Sequence, residues 1–185
     1  MLAFVRDELV QERDQTREAL RALGKQLDLA NRAASRFRTN LPNRDEAISA
    51  LARTTGEAES EDKPYVGIFV ADVLSTLQLR HGNDISEYFL AEVGRRRILP
   101  LVPGGKIFRW SAQSVLAIWS SNKGLAEISA EIANSCQIPF ECQAFVGTRT
   151  ATFCIALRFR VLTSQLNTVE LVRAFDGFAK EENSR

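Results

Sequence analysis

Apolar positions along the chain change their spacing several times, and each change predicts an element. From residue 1 to about 36 they fall at Leu2, Val5, Leu9, Ala19, Leu23, Ala30, Ala33 and Phe37. This is the alternating three-and-four spacing of a heptad seam, with Glu12, Thr16 and Gln26 as its polar members. A narrow stripe, with charges of both signs on the other faces, suits a partner helix better than a globular surface. The pattern therefore predicts a long N-terminal helix that forms a coiled-coil homodimer, with Leu2, Val5, Leu9, Leu23 and Ala30 in the dimer seam. The alternative is a helix folded back on its own domain. Gly24 weakens the helix by about 1 kcal/mol relative to alanine. The polar seam positions suit a helix that shifts register to pass a signal.

Beyond this helix the periodicity changes. Pro42 ends it, because the residue before a proline disfavours helical backbone. Asn43 is placed to cap a second helix running to about Arg53, with Ala47, Ile48 and Leu51 on one face. The polar, acidic stretch from Thr54 to Lys63 reads as a loop. Tyr65 to Asp72 is a nearly continuous apolar run rich in β-branched residues, the pattern of a buried central strand. A helical stretch over 74–98, with a break near Gly82, leads to Pro103-Gly104-Gly105. Lys106–Trp110 and Ser114–Trp119 predict a hairpin around Ser111-Ala112-Gln113. A helix over 124–135 follows, then strands over Ile138–Phe145 and Thr150–Leu162, then a helix over 167–182. The order predicts an α+β fold, a mixed sheet flanked by helices, with residues 1–37 as the signalling helix and 38–185 as the globular domain.

Composition narrows the function. The 185 residues are 45% hydrophobic, enough for a substantial core, and 24 Lys and Arg against 23 Asp and Glu leave a net charge of +1. No field of one sign points to nucleic acid. Cys136, Cys142 and Cys154 show no paired spacing and fit a reducing compartment; with a single histidine, His81, and no CxxC motif, no zinc site is expected. Arg6, Asp7 and Glu8 break any signal peptide, and no apolar run is long enough to span a membrane, so the chain reads as cytoplasmic. If Met1 opens a piece of a longer protein, these statements cover this piece only.

Two motifs then carry a resemblance. Arg36-Phe-Arg-Thr-Asn-Leu-Pro-Asn-Arg44 is similar to the opening D-x-L-T-G-L-P-N-R of GGDEF domains, the diguanylate cyclase-type family, with Thr39, Leu41, Pro42, Asn43 and Arg44 matching and Arg36 in place of the leading aspartate. Ala174-Phe-Asp-Gly-Phe-Ala-Lys180 resembles the family's closing helix. The element order between them is also the family's. The resemblance implies a nucleotidyl cyclase-like fold over about 38–183, preceded by a heptad helix with parallel pairing.

The positions that carry the family's chemistry differ. By the resemblance, the first strand ends in D-x-D, whose first aspartate holds a divalent metal with the carboxylate of the hairpin signature; the two aspartates align with Val70 and Asp72, and the signature with Ser111-Ala112-Gln113-Ser114-Val115. Valine ligates no metal, Gln113 is neutral, and Ser114 stands where the resemblance implies a glutamate. The two signature glycines carry side chains here, although close backbone approach favours glycine. Gln78 and Glu87 align with the guanine-reading residues, Lys180 with the phosphate lysine and Ser184 with its partner arginine. The product-binding R-x-x-D aligns with Val102-Pro-Gly-Gly105 and is absent. Phosphoryl-type chemistry depends on positioning and charge neutralisation, so these losses imply no catalytic residues, no metal and no cofactor.

The bland readings of other residues stand beside these. Asp72 is expected to make a local hydrogen bond, His81 to be a loop residue without a role, Arg95-Arg96-Arg97 to be a solvated helix end, and Trp110 and Trp119 to lie in the core. The sequence thus predicts an inactive GGDEF-like signalling module in a bacterial cyclic-di-GMP-type pathway. It would act by homodimerisation and by contact with another signalling protein or an adjacent domain. The alternative is a sensor that binds GTP or a related nucleotide through Gln78, Glu87 and Lys180 without turnover. A third reading is a plain structural dimerisation domain, which an apolar filling of Val70, Leu74 and Val115 between strand and hairpin would favour over a sensor.

Overall fold

Strand β1, Lys63–Val70, is buried from Tyr65 to Val70, because helices cover both faces of the sheet it centres. That is why the run shows no alternation. Tyr65 and Phe69 belong to one core layer, Val66, Ile68 and Val70 to the other. The computed structural model describes residues 41–54, 62–146, 149–164 and 166–181. The chain divides into two compact units, Met1–Arg38 and Thr39–Arg185. The heptad segment, with Leu2, Val5, Leu9, Leu23 and Ala30, lies outside the described residues.

Helix α1, Arg44–Thr54, precedes β1. After β1 come α2, Val73–His81, and α3, Asn83–Val93, which runs on through a π turn at Gly94–Ile98 and a 3-10 turn at Leu99–Leu101. Strands β2, Lys106–Arg109, and β3, Ser114–Ser121, form the hairpin. Helix α4 is Leu125–Cys136, followed by β4, Phe140–Val146, β5, Arg149–Ile155, and β6, Arg158–Thr163. Helix α5, Thr168–Lys180, ends the described fold. The break near Gly82 is real: its φ of 88° and ψ of 173° separate α2 from α3, a backbone that only glycine adopts without strain.

The main sheet has the order β2-β3-β1-β6, and every neighbouring pair in it is antiparallel. The expected mixed sheet is therefore corrected to an antiparallel one, the split βαβ arrangement of β1-α-β2-β3-α4-β6. The expected single strand over Thr150–Leu162 is two. Among the described residues strand β5 pairs only with β4, in a separate two-stranded sheet, and after Ala156 and Leu157 the chain enters the main sheet as β6. One layer of core lies under α2, α3 and α4, built on Leu74, Phe89, Ile98, Val115, Trp119 and Ile132. The other lies under α1 and α5, with Leu51, Trp110, Leu116, Leu171 and Phe175. Trp110 and Trp119 are 3% and 4% exposed, as core residues.

Candidate functional site

The C-terminal end of β1 is where the resemblance places its chemistry, and the register shows what meets there. Val70 stands opposite Ser114 of β3 on one side and Arg158 of β6 on the other. Cross-strand partners share a face, so Val70, Ser114 and Arg158 form one row. Val70 is 1% exposed and packs into the α1–α5 core layer.

The hairpin tip is closed by its own groups. The Ser111 and Ser114 hydroxyls are 2.6 Å apart, the Gln113 amide donates to Ser111 Oγ at 3.2 Å, and the Trp110 amide donates to the Ser114 carbonyl at 2.9 Å. Ser114 is fully buried, and Val115 beside it faces the other core layer with Leu74. The Gln113 carbonyl accepts from the Ala71 amide at 2.9 Å, tying the tip to the end of β1. Ala112 and Gln113 are half-buried.

Asp72 departs from its expected local hydrogen bond. Its two oxygens accept from Arg158, Oδ2 from Nε at 2.7 Å and Oδ1 from Nη2 at 3.0 Å. Only its backbone carbonyl bonds locally, accepting from the Ser75 amide and hydroxyl. Arg158 also donates to the carbonyls of Phe178 at 2.6 Å and Ala179 at 3.4 Å, and its guanidinium carbon lies 4.8 Å from the Phe178 ring centre.

The candidate nucleotide contacts are each engaged or apart. Gln78 on α2 donates through Nε2 to Asn83 Oδ1 at 2.7 Å, across the Gly82 break. Glu87 on α3 accepts from Arg109 of β2 at 2.6 Å. Lys180 is exposed at the end of α5. Two hollows, of about 450 Å³ and about 560 Å³, flank Trp119 and Ser120 at the opposite end of the sheet, and neither is lined by Gln78, Glu87 or Lys180.

The metal pair implied by the resemblance needs several hard oxygen ligands. Val70, Gln113 and Ser114 supply no carboxylate, and both oxygens of Asp72 face Arg158. Among the described residues no group of three or more His, Cys, Asp or Glu side chains could hold a metal ion. The residues present do not fit the metal pair.

Other expectations are adjusted. Arg97 is half-buried and donates to the carbonyls of Ser135 and, at 2.9 Å, Ile138, closing the C-terminal end of α4. Arg95 and Arg96 are exposed, Arg96 pairing with Glu92 at 3.4 Å. His81, exposed at the end of α2, meets Phe153 edge-on at 6.2 Å. Arg158 was missed from sequence. Its signal was a pair of cations, Arg158 and Arg160, two apart in an otherwise apolar strand.

No family model matches the sequence, and no curated protein matches it. Solved structures do. A sensory box/GGDEF family protein from Caulobacter crescentus matches at a TM-score of 0.58 and 17% identity, over 76% of this chain and 91% of that one. A diguanylate cyclase/phosphodiesterase from Caldicellulosiruptor saccharolyticus matches at 0.57 and 16%, over 75% and 79%. Diguanylate cyclase SiaD from Pseudomonas aeruginosa, solved with its activator SiaC, matches at 0.57 and 18%, over 95% and 73%. At such identity the likeness is one of architecture, and by it this chain has the fold of the GGDEF diguanylate cyclase domains.

Proposed function

We propose that this chain is a signalling module of a bacterial cyclic-di-GMP-type pathway that keeps the cyclase fold without its chemistry. It acts as a homodimer through the N-terminal helix and by contact with a protein partner or an adjacent domain. The observation that carries the reading is the end of β1. Val70 is packed into core, Ser114 is buried against Ser111, and Asp72 is engaged by Arg158, so no carboxylate there is available to a metal-bound triphosphate. Loss of the charge-neutralising groups removes most of what a phosphoryl-transfer site does. The SiaD–SiaC complex supports a protein partner as a role compatible with this fold.

Incubation of the purified chain with GTP and magnesium, followed by chromatography, tests the proposal. No cyclic-di-GMP is expected; product above a protein-free control refutes it.

A nucleotide sensor working through Gln78, Glu87 and Lys180 is less well supported. Glu87 would have to leave Arg109, and Gln78 would have to share its amide with Asn83. Val70, Leu74 and Val115 are all buried, but Val70 lies on one face of the sheet and the other two on the opposite face, so the three do not fill one pocket. Calorimetric titration with GTP and with cyclic-di-GMP separates the two readings: heat from either nucleotide favours the sensor.

A further inference from the structure

We infer that Arg158 is a built-in cation that holds Asp72 and the last turn of α5 together, leaving Asp72 closed to divalent metal. The inference uses the proposed function only to identify which site is being compared; the clamp itself stands on local geometry. Asp72 follows β1, with its side chain 36% exposed. Arg158 begins β6, one strand away, with its side chain 17% exposed. The contact is a two-point fork, Nε and Nη2 each taking one oxygen, which fixes orientation as well as charge.

The remaining donors go to the carbonyls of Phe178 and Ala179, at the end of α5. These last-turn carbonyls have no partner within the helix and carry its partial negative charge, so a guanidinium beside them is favoured twice. The Phe178 ring covers the guanidinium. One side chain thus joins the ends of β1, β6 and α5. A divalent ion at Asp72 would compete with the Arg158 guanidinium for the same carboxylate, and no second carboxylate in the row would help to hold it.

The test is thermal unfolding of the full chain as wild type, Asp72→Asn, Arg158→Gln and the double variant, each with and without millimolar manganese. Each single change is expected to lower Tm by several degrees. The double variant should fall no further than the worse single one, because the two residues serve one interaction. Manganese should leave wild-type Tm unmoved. Arg158→Lys keeps the charge but loses the fork, and its Tm should lie between those of wild type and Arg158→Gln; it replaces Arg158→Gln in the cycle if that variant does not fold. Additive losses overturn the inference. So does a manganese-induced rise in wild-type Tm that Asp72→Asn removes. Cyclic-di-GMP formation is read separately, so the clamp can fail while the proposed function stands, and the reverse.

Discussion

Asp176 holds two partners from separate elements. Arg44 Nη2 donates to it at 2.7 Å and Trp110 Nε1 at 3.1 Å, and the Arg44 guanidinium lies 4.5 Å from the centre of the Trp110 ring. The last residue of the Leu41-Pro42-Asn43-Arg44 motif is thereby fixed to the hairpin and to α5. Asp176→Ala leaves a buried indole N–H without a partner, and should cost about 1–3 kcal/mol in urea unfolding. Arg44 was legible as part of a motif, but its partner, 132 residues away, was not. The same holds for Arg158 with Asp72, 86 apart, and Arg109 with Glu87, 22 apart. Periodicity reports which face of an element is apolar, and says nothing about which charges meet across elements. Cys142 gives a pH prediction at this scale. Burial pushes its thiol above the ordinary 9.0, Glu92 adds to this, and Arg96 and the Gln143 backbone oppose it. The unfolded thiol ionises first as pH rises, so the stability this group contributes is fully present below 9.0 and is lost as pH climbs through the folded value. Unfolding measured over a pH series should show a shallower alkaline decline in Cys142→Ala than in wild type.

At the scale of elements, the helix starts were the most legible features. Asn43 and Glu46 form a reciprocal cap on α1, Asn43 Oδ1 accepting from the Glu46 amide at 3.0 Å and Glu46 Oε2 from the Asn43 amide at 2.7 Å. Asn167 and Glu170 do the same for α5. Asn167→Ala should cost about 1 kcal/mol, read as a lower denaturation midpoint at unchanged m-value. Gly82→Ala forces a side chain into φ of 88° and should cost about 1–2 kcal/mol, although nothing lies within 4 Å of the added carbon. Gly105 is constrained differently: a Cβ there would sit 2.8 Å from the Val102 carbonyl oxygen. The division of 150–162 into β5 and β6 was not legible, because no glycine or proline marks Ala156-Leu157 and β-type residues continue on both sides. The π turn at Gly94–Ile98 was hidden for a similar reason. Its residues keep a helical composition, and only Gly94, whose added Cβ would meet Ile107 at 3.1 Å, hints at a close approach.

On the scale of the whole molecule, the sheet is the common support. β1 lies between β3 and β6 and shares a core with helices on each face, so its six consecutive buried residues mark the centre of the fold. The globular unit, Thr39–Arg185, carries a core of its own. Expressed alone, it should unfold cooperatively, and it should sediment as a monomer if the heptad helix is the dimer contact. A dimer of residues 39–185 in analytical ultracentrifugation would place the contact in the globular part instead. The α+β class was readable from the alternation of strand and helix patterns, and the cyclase-like arrangement from the motif resemblance over residues 36–44 and 174–180. The contacts of Arg158 were not readable, since it lies outside the motifs and meets Asp72 from 86 residues away.

The β4–β5 pair shares no ladder with the four-stranded sheet among the described residues, and rests on α3 through the Phe89–Phe153 contact at 4.9 Å. The domain therefore carries two hydrogen-bonded units that need not open together. Amide exchange should show it: the protons of β4 and β5 exchange as one group by partial opening, while those of β1 wait for global unfolding. A partner that grips this hairpin could gain or lose order there without loosening the centre of the sheet.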